Sequence, residues 1–196
     1  MNSSENLKNA LEVMYKTYDN VKKLMDYCIS FAGEKTEYDC FSDKSLRWKT
    51  GVSPESWLTN SFILLFQNRN SKDCDSDNGW KNDSIYAMEI CLGEKGKTNP
   101  PLIYLSRFEY HDINAWSKGC STSDFWGFFN PIRRNDDMDF SEEGDFRVGV
   151  PKNQKSSDTY WGLKKVVTKT VDLFDITAEN VGEKIFNEFD RLANIE

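Results

Sequence analysis

Imidazole chemistry in this chain would have to use a single residue, because His111 is the one histidine among the 196 residues. A Ser-His-acid or Cys-His arrangement would be built around this ring. Zinc sites with two or more histidines, including the H-E-x-x-H motif, are excluded. Glu109 and His111 would share one face of a strand, where a carboxylate beside an imidazole could do acid–base work. Because the sequence supplies no nucleophile or oxyanion hole in the expected order, we favour a structural role for His111.

Three carboxylates alternate in a polar loop, at Asp73, Asp75 and Asp77, with a spacing that lets side chains converge on one hard cation. An EF-hand loop has glycine at its sixth position and glutamate at its twelfth. Here the glycine, Gly79, comes one place late, and the twelfth position is Ser84. We therefore interpret the segment as a solvated acidic loop, and we predict neither a metal site nor another cofactor.

A metal-dependent nuclease is the enzyme class most compatible with a chain of this size that mixes helices and strands. In one common design, an acid two residues before a lysine holds Mg²⁺ while the lysine polarises the attacking water or the scissile phosphate. Neither Asp-x-Lys nor Glu-x-Lys occurs in the sequence. A migrated version of the site could be formed within one predicted hairpin by Glu89, Glu94, Lys95 and Glu109. This enzyme is our alternative hypothesis.

The strongest charge asymmetry lies in the C-terminal half. Residues 135–145 contain six acidic residues and no basic residue, and residues 146–170 contain six basic residues and one acidic residue. The two stretches could neutralise one another across a hairpin. Alternatively, an exposed acidic run would dock a basic protein, with charge setting the rate and orientation of association.

An aromatic segment, residues 124–129, comes shortly before the acidic run. Its large side chains could anchor a partner and supply most of the affinity. The sequence leaves open whether they belong to the core or to the surface. The predicted partner-binding residues are Phe125, Trp126, Phe128, Asp136, Asp137, Asp139, Glu142 and Glu143.

The composition indicates which classes of partner the protein is expected to contact. A net charge of −7 argues against a protein that coats nucleic-acid phosphates, which normally needs a basic face. Five widely spaced cysteines with no C-x-x-C pair indicate reduced thiols in the cytoplasm. The sequence shows neither a secretion signal nor a stretch apolar enough to span a bilayer. We expect no direct contact with nucleic acid or with membranes.

A long amphipathic helix is predicted over residues 5–32, with Gly33 as its natural end. Apolar or small residues follow an unbroken 4-3-4-3 spacing from Leu7 to Ala32. The stripe would either strap across the sheet of its own chain or form a seam with a second copy, giving a homodimer through the N-terminal helix. We favour the strap.

Strands are predicted over residues 61–67, 85–92, 101–108, 146–150 and 162–176, the second and third of them as a hairpin. A short strand around Leu46 and Trp48 and a helix start at Ser53 are also predicted. The final helix begins with Thr177 as its N-cap. One face of it carries Val181, Ile185, Phe189 and Leu192. This order predicts one α+β domain over residues 1–196, an antiparallel sheet packed by the two terminal helices.

Together these patterns favour a non-catalytic acidic binding protein. The specific hypothesis is an inhibitor or immunity-type protein that blocks a basic, nucleic-acid-handling partner. It would do so by presenting carboxylates where phosphates would lie.

Overall fold

The protein forms one seven-stranded antiparallel sheet with helices at both ends of the chain, which confirms the predicted α+β class. The computed structural model describes residues 2–41, 45–47, 57–93, 98–116 and 120–195. The predicted strand residue Trp48 and the predicted helix start at Ser53 lie outside them. The number of domains stays a prediction.

The sheet has the order β1-β2-β3-β4-β7-β6-β5. Every neighbouring pair is antiparallel, and strand β5 forms one edge. The strands are β1 (Tyr38–Cys40), β2 (Ser61–Asn68), β3 (Ile85–Cys91), β4 (Leu102–Tyr110), β5 (Met138–Glu143), β6 (Phe146–Pro151) and β7 (Leu163–Asp172). The helices are α1 (Ser3–Lys35), α2 (Trp126–Phe129), α3 (Gln154–Thr159), a π-helical turn (Gly182–Phe186) and α4 (Asn187–Ala193).

Strands β2 and β3 are buried almost throughout, in keeping with sequences that are mostly apolar apart from Glu89 in β3. Both of their faces must therefore be covered. Helix α1 and the C-terminal helical segment cover one face, which we call the helix-covered face. On the opposite face, the loop-covered face, Trp80 and Tyr160 pack with the irregular stretch that contains Phe125 and Phe128.

Helix α1 is longer than predicted, and its two halves differ in burial. It continues through Gly33 to Lys35, because the backbone N–H and the hydroxyl of Thr36 both bond to the Ala32 carbonyl, at 3.2 and 2.9 Å. Its buried residues are Val21, Cys28 and Ala32. Residues 2–16 are all exposed. The predicted strap is thus correct for the second half of the helix, whereas the first half of the stripe remains uncovered.

The C-terminal helix buries the predicted face, since Val181, Ile185, Phe189 and Leu192 are all fully buried. Its start differs from the prediction. The backbone carbonyl of Thr177 accepts a hydrogen bond from the Val181 N–H at 3.1 Å, but regular α-helix is reached only at Asn187, after the π-helical turn.

A charged network ties the end of this helix to strand β4. Arg107 donates hydrogen bonds to the carbonyls of Ala193 and Ile195 and also pairs with Glu109. The Glu109 carboxylate lies 3.2 Å from the ammonium of Lys165 and 3.5 Å from that of Lys164. Burial would raise the pKa of Glu109, but Arg107 and the two lysines outweigh it and lower the pKa.

We expect Glu109→Gln to lower the free energy of unfolding at pH 7 by about 1–2 kcal/mol. Because the pKa of Glu109 is lower in the folded than in the unfolded protein, its stabilisation is present above the ordinary value of 4.5 and is lost as the pH falls through the lowered value. The difference between the two proteins in urea unfolding should therefore shrink below pH 4.5. A difference that stays constant down to pH 2 would contradict this assignment.

Candidate functional site

The acidic run forms an edge of the sheet. We define the acidic surface as the exposed carboxylates of strand β5 and of the turns on either side of it: Asp136, Asp139, Glu142, Glu143 and Asp145. Met138 of the same strand is buried and Phe140 is half-buried, so the alternation of the strand turns Asp139 and Glu143 to the opposite, exposed side. Glu142 lies on the side of Phe140 and is exposed as well.

The acids of this surface are only loosely paired. The closest contacts are 3.9 Å from Glu142 to Arg147, 4.0 Å from Asp139 to Lys152, and 3.7 Å from Asp145 to Lys169. The three carboxylates remain 68–72% exposed. Exposed pairs of this length contribute little to stability. Asp136 and Glu143 form no ion pair with any residue that the structure describes.

Much of the basic stretch that follows is engaged elsewhere. Lys164 and Lys165 pair with Glu109, and Lys169 lies closer to Glu188, at 3.0 Å, than to Asp145. Only Arg147 and Lys152 face acids across the β5–β6 hairpin. The two charged stretches therefore neutralise one another only in part, and the acidic surface keeps a negative charge.

Asp137 differs from the other acids of the run. It is half-buried, accepts a hydrogen bond from the Tyr160 hydroxyl at 2.7 Å, and lies 3.3 Å from Arg134. Burial and Asp137 together raise the pKa of Tyr160. Asp137 thus ties the start of the hairpin to the loop-covered core, and we leave it out of the acidic surface.

The aromatic segment is divided between core and surface. Phe125 and Phe128 are each only 1% exposed, so neither can contact a partner directly in this conformation. Their burial follows from the need to cover the apolar loop-covered face of the sheet. Trp126 is half-buried and packs against Tyr160 and Trp161, with ring centroids 6.1 and 5.0 Å away. It is the one of the three predicted anchors that reaches the surface.

A cleft of about 690 Å³ opens beside this aromatic layer. Three acidic side chains and two tryptophans contribute to its walls. It is lined by His111, Asp112, Ala115, Trp116, Cys120, Asp124, Gln154, Asp158, Trp161 and Gly162. No motif pointed to it, because its residues come from four separate segments that only the fold brings together.

Trp161 enters the cleft from a strained turn between helix α3 and strand β7. Its φ angle is 59°, and Gly162 follows at 81°. A non-glycine residue in this region costs about 1–2 kcal/mol, and such outliers concentrate at functional sites. The Trp116 indole donates to the Trp161 carbonyl at 3.2 Å, and a Cβ on Gly127 would come within 2.3 Å of the Trp161 ring. Close packing therefore fixes this ring.

The cleft contains a histidine and a cysteine, but the thiol is not activated. Burial, with a smaller contribution from Asp124, raises the pKa of Cys120 to about 12. Cysteine nucleophiles need the opposite shift, because the thiolate is the reactive form. The raised pKa therefore disfavours Cys120 as a nucleophile.

The residues of the nuclease hypothesis do not converge in the structure. Glu89 projects from β3 into the loop-covered face, whereas Glu109 projects from β4 onto the helix-covered face, beside Arg107 and the end of α4. Glu94 and Lys95 lie outside the described residues. Among the described part of the chain, no cluster of three or more His, Cys, Asp or Glu side chains could hold a metal ion.

Glu89 has a structural environment of its own. Its side chain is only 3% exposed, accepts a hydrogen bond from Ser61 at 2.6 Å, and forms two bonds with Arg133 at 2.8 and 2.9 Å. The Arg133 guanidinium lies over the rings of Phe129 and Tyr104, at 3.8 and 4.3 Å. This ion pair clamps the segment after α2 onto the centre of the sheet.

The acidic loop around Asp73 supports the cleft from outside. Asp73 pairs with Lys81 at 2.7 Å, and Asp75 pairs with Lys72 at 3.3 Å. Asn78, which is buried in the same loop, donates to the carbonyls of Ile113 and Trp116, both at 3.0 Å. The loop thereby fixes the backbone on which Trp116 is placed.

Comparison with protein-family models, with curated proteins and with solved structures found no match for this chain. Within the described ranges, no helix combines the length and the apolar character that crossing a membrane would require.

We expect Glu89→Gln to lower the free energy of unfolding by about 3–5 kcal/mol, because it leaves the Arg133 guanidinium buried without its counter-charge. The double variant Glu89→Gln/Arg133→Met should lose less than the sum of the two single variants, since it removes both charges. Urea unfolding followed by circular dichroism measures each value. A change below about 0.5 kcal/mol in Glu89→Gln would refute the clamp.

Proposed function

We propose that the protein is a non-catalytic inhibitor or immunity-type protein that binds a basic, nucleic-acid-handling partner through its acidic surface. The supporting observation is the row of exposed carboxylates on the edge strand β5, whose ion pairs are few and long. Such a surface attracts a basic protein over a distance of about 8–10 Å at ordinary salt, so it speeds association and orients the encounter.

The rigid base of this surface also supports binding. Met138 and Phe146 are buried at the two ends of the β5–β6 hairpin, and the Arg147 guanidinium stacks on the Phe140 ring at 3.7 Å. Asp137 and Tyr160 attach the hairpin to the core. The carboxylates are therefore held on ordered backbone, which lowers the entropy cost of docking.

Edge protection is the explanation that needs no partner. Charged side chains on an edge strand prevent it from pairing with the edge of another sheet. If edge protection is the role of the acids, the number of charges on the edge strand matters and no partner is required. The two explanations differ in what happens when the acids are neutralised.

To test the proposal, we would immobilise the wild type and the variant Asp136→Asn/Asp139→Asn/Glu142→Gln/Glu143→Gln and expose both to an extract of the cells that express the protein. Quantitative mass spectrometry of the bound fraction should identify a basic protein on the wild type. The variant should capture it at least about tenfold less, and the association rate should lose most of its salt dependence.

A matched control changes the same number and types of acid on α1: Glu12→Gln, Asp19→Asn, Asp26→Asn and Glu34→Gln, all at exposed positions. It carries the same net charge as the hairpin variant and should bind like the wild type. Equal capture by all three proteins would refute the proposal. Aggregation of the hairpin variant alone, with no basic partner on the wild type, would favour edge protection.

Self-association through the first half of α1 is a second candidate, and it would give a homodimer. Leu7, Leu11 and Met14 continue the heptad stripe of the helix yet are 63%, 44% and 36% exposed. A helical stretch of about 15 residues is marginal in water unless its apolar face is covered. A second copy offers the same stripe, with Lys and Glu on its flanks.

Leu11→Lys should therefore abolish a concentration-dependent dimer in sedimentation equilibrium, because it places a charge in the seam. Val13→Lys is the matched control, since Val13 is 64% exposed and lies off the stripe. It should leave the dimer intact. A wild type that remains monomeric at every concentration would eliminate this candidate.

A further inference from the structure

We propose that the cleft lined by Trp116 and Trp161 is the binding pocket for an arginine side chain of the basic partner. This inference rests on the proposed function, because it assigns the anchor that the acidic surface by itself lacks. A volume of about 690 Å³ lies in the range of ligand pockets and exceeds the size of one guanidinium with its alkyl chain.

The charge of the cleft suits a cation. Asp112, Asp124 and Asp158 line it, and none of them forms an ion pair with a lysine or arginine in the described ranges. The described residues therefore supply no lysine or arginine counter-charge for these three carboxylates. A cationic side chain that enters the cleft would supply a counter-charge.

Each of these acids is held by one oxygen and offers the other. Asp112 accepts from the Asn114 N–H at 3.0 Å, Asp124 from the Ser121 N–H at 2.6 Å, and Asp158 from the Gln154 amide at 2.7 Å. The second oxygen of each accepts no hydrogen bond from the described residues. The carboxylates are thus oriented in advance and keep free acceptors for a ligand with several N–H donors.

The aromatic walls distinguish a guanidinium from a simple ammonium. The rings of Trp116 and Trp161 meet edge to face, with centroids 5.6 Å apart, and both residues are half-buried. A planar guanidinium can stack on such an indole face while its edge donates to carboxylates, whereas an ammonium cannot make both contacts in one plane. We therefore assign the pocket to arginine rather than lysine.

Two further observations concern Trp161 in the cleft wall and Tyr110 behind it, and neither depends on the three aspartates. Trp161 keeps its strained φ of 59°, which places its ring in the wall. The Tyr110 hydroxyl is buried without a hydrogen-bond partner among the described residues, and its ring packs on Trp116 at 4.6 Å. Uncompensated costs of this kind are typical of a site whose interactions are completed by a ligand.

The test uses the full chain with ¹⁵N-labelled tryptophan and N-acetyl-arginine methylamide as the probe. The indole signals of Trp116 and Trp161, assigned by Trp→Phe substitution, should shift saturably with a dissociation constant of about 1–10 mM, as expected for one exposed side chain. The citrulline analogue, which has the same shape without the charge, should cause no saturable shift. Equal binding of the two probes would overturn the proposal.

Asp158→Asn should weaken binding of the arginine probe about fivefold, because it removes one of the three charges. Asp136→Asn is the matched control, since Asp136 is exposed on the acidic surface and does not line the cleft. It should stay within about twofold of the wild type. Equal weakening by the two variants would reduce the effect to net charge and refute a specific pocket.

The source of the arginine is tested with agmatine, a free small guanidinium. Binding of agmatine more than about tenfold tighter than the capped arginine would assign the cleft to a small molecule and contradict a partner side chain. With the captured partner, Asp112→Asn/Asp158→Asn should raise the dissociation rate about tenfold and leave the association rate unchanged.

The two proposals fail in different ways. Capture that depends on the acidic surface, combined with no shift by the arginine probe, would leave the proposed function standing and remove the cleft from it. Probe binding that requires Asp158, combined with partner capture that does not depend on the acidic surface, would leave the cleft proposal standing and refute the proposed function.

Discussion

The buried Glu89–Arg133 pair is the interaction on which the second half of this structure depends. Strands β2 and β3 carry apolar side chains on both sides, with Glu89 as the charged exception, so both faces of the sheet must be covered. Helices do this on one face. On the other face the cover is an irregular stretch with only short helical turns, and such a stretch cannot satisfy all its polar groups internally. Arg133 binds Glu89 at the centre of the sheet, and Asn78 binds two carbonyls of the same stretch. These contacts hold the aromatic cover in place.

The same constraint produces the cleft. Phe125 and Phe128 are drawn into the core, which leaves Trp116, Trp126 and Trp161 half-buried at its rim. Gly127 gives room for the ring of Trp161, which stands in a strained turn. Asp112, Asp124 and Asp158 then lie around the rim because each fixes a local turn or helix end. An acidic aromatic cavity therefore results from how an irregular layer is built, and the ligand that we propose for it is a cation.

The distribution of charged residues leaves both the acidic surface and the cleft negatively charged. The lysines that follow the acidic run in sequence alternate along β7, so Lys165 and Lys169 point to Glu109 and Glu188 on the helix-covered side. The acids of β5 keep only distant partners. The bond between Asp137 and Tyr160 connects the hairpin to the turn that carries Trp161, and Trp126 packs against this turn. The acidic surface and the cleft thus belong to neighbouring parts of one layer.

The sequence by itself determined what depends on local periodicity: the long first helix, the buried strands β2 and β3, the β3–β4 hairpin, the apolar face of the last helix and the α+β class. It also located the acidic run. It did not determine which side chains meet, because that depends on the strand order and on which face each residue takes. The predicted hairpin brings Glu89 and Glu109 close together. In the strand register they are offset by an odd number of residues, so their side chains lie on opposite faces of the sheet. Phe125 became core because an uncovered sheet face needed it, and the cleft joined segments dozens of residues apart, a proximity that no spacing within one segment encodes.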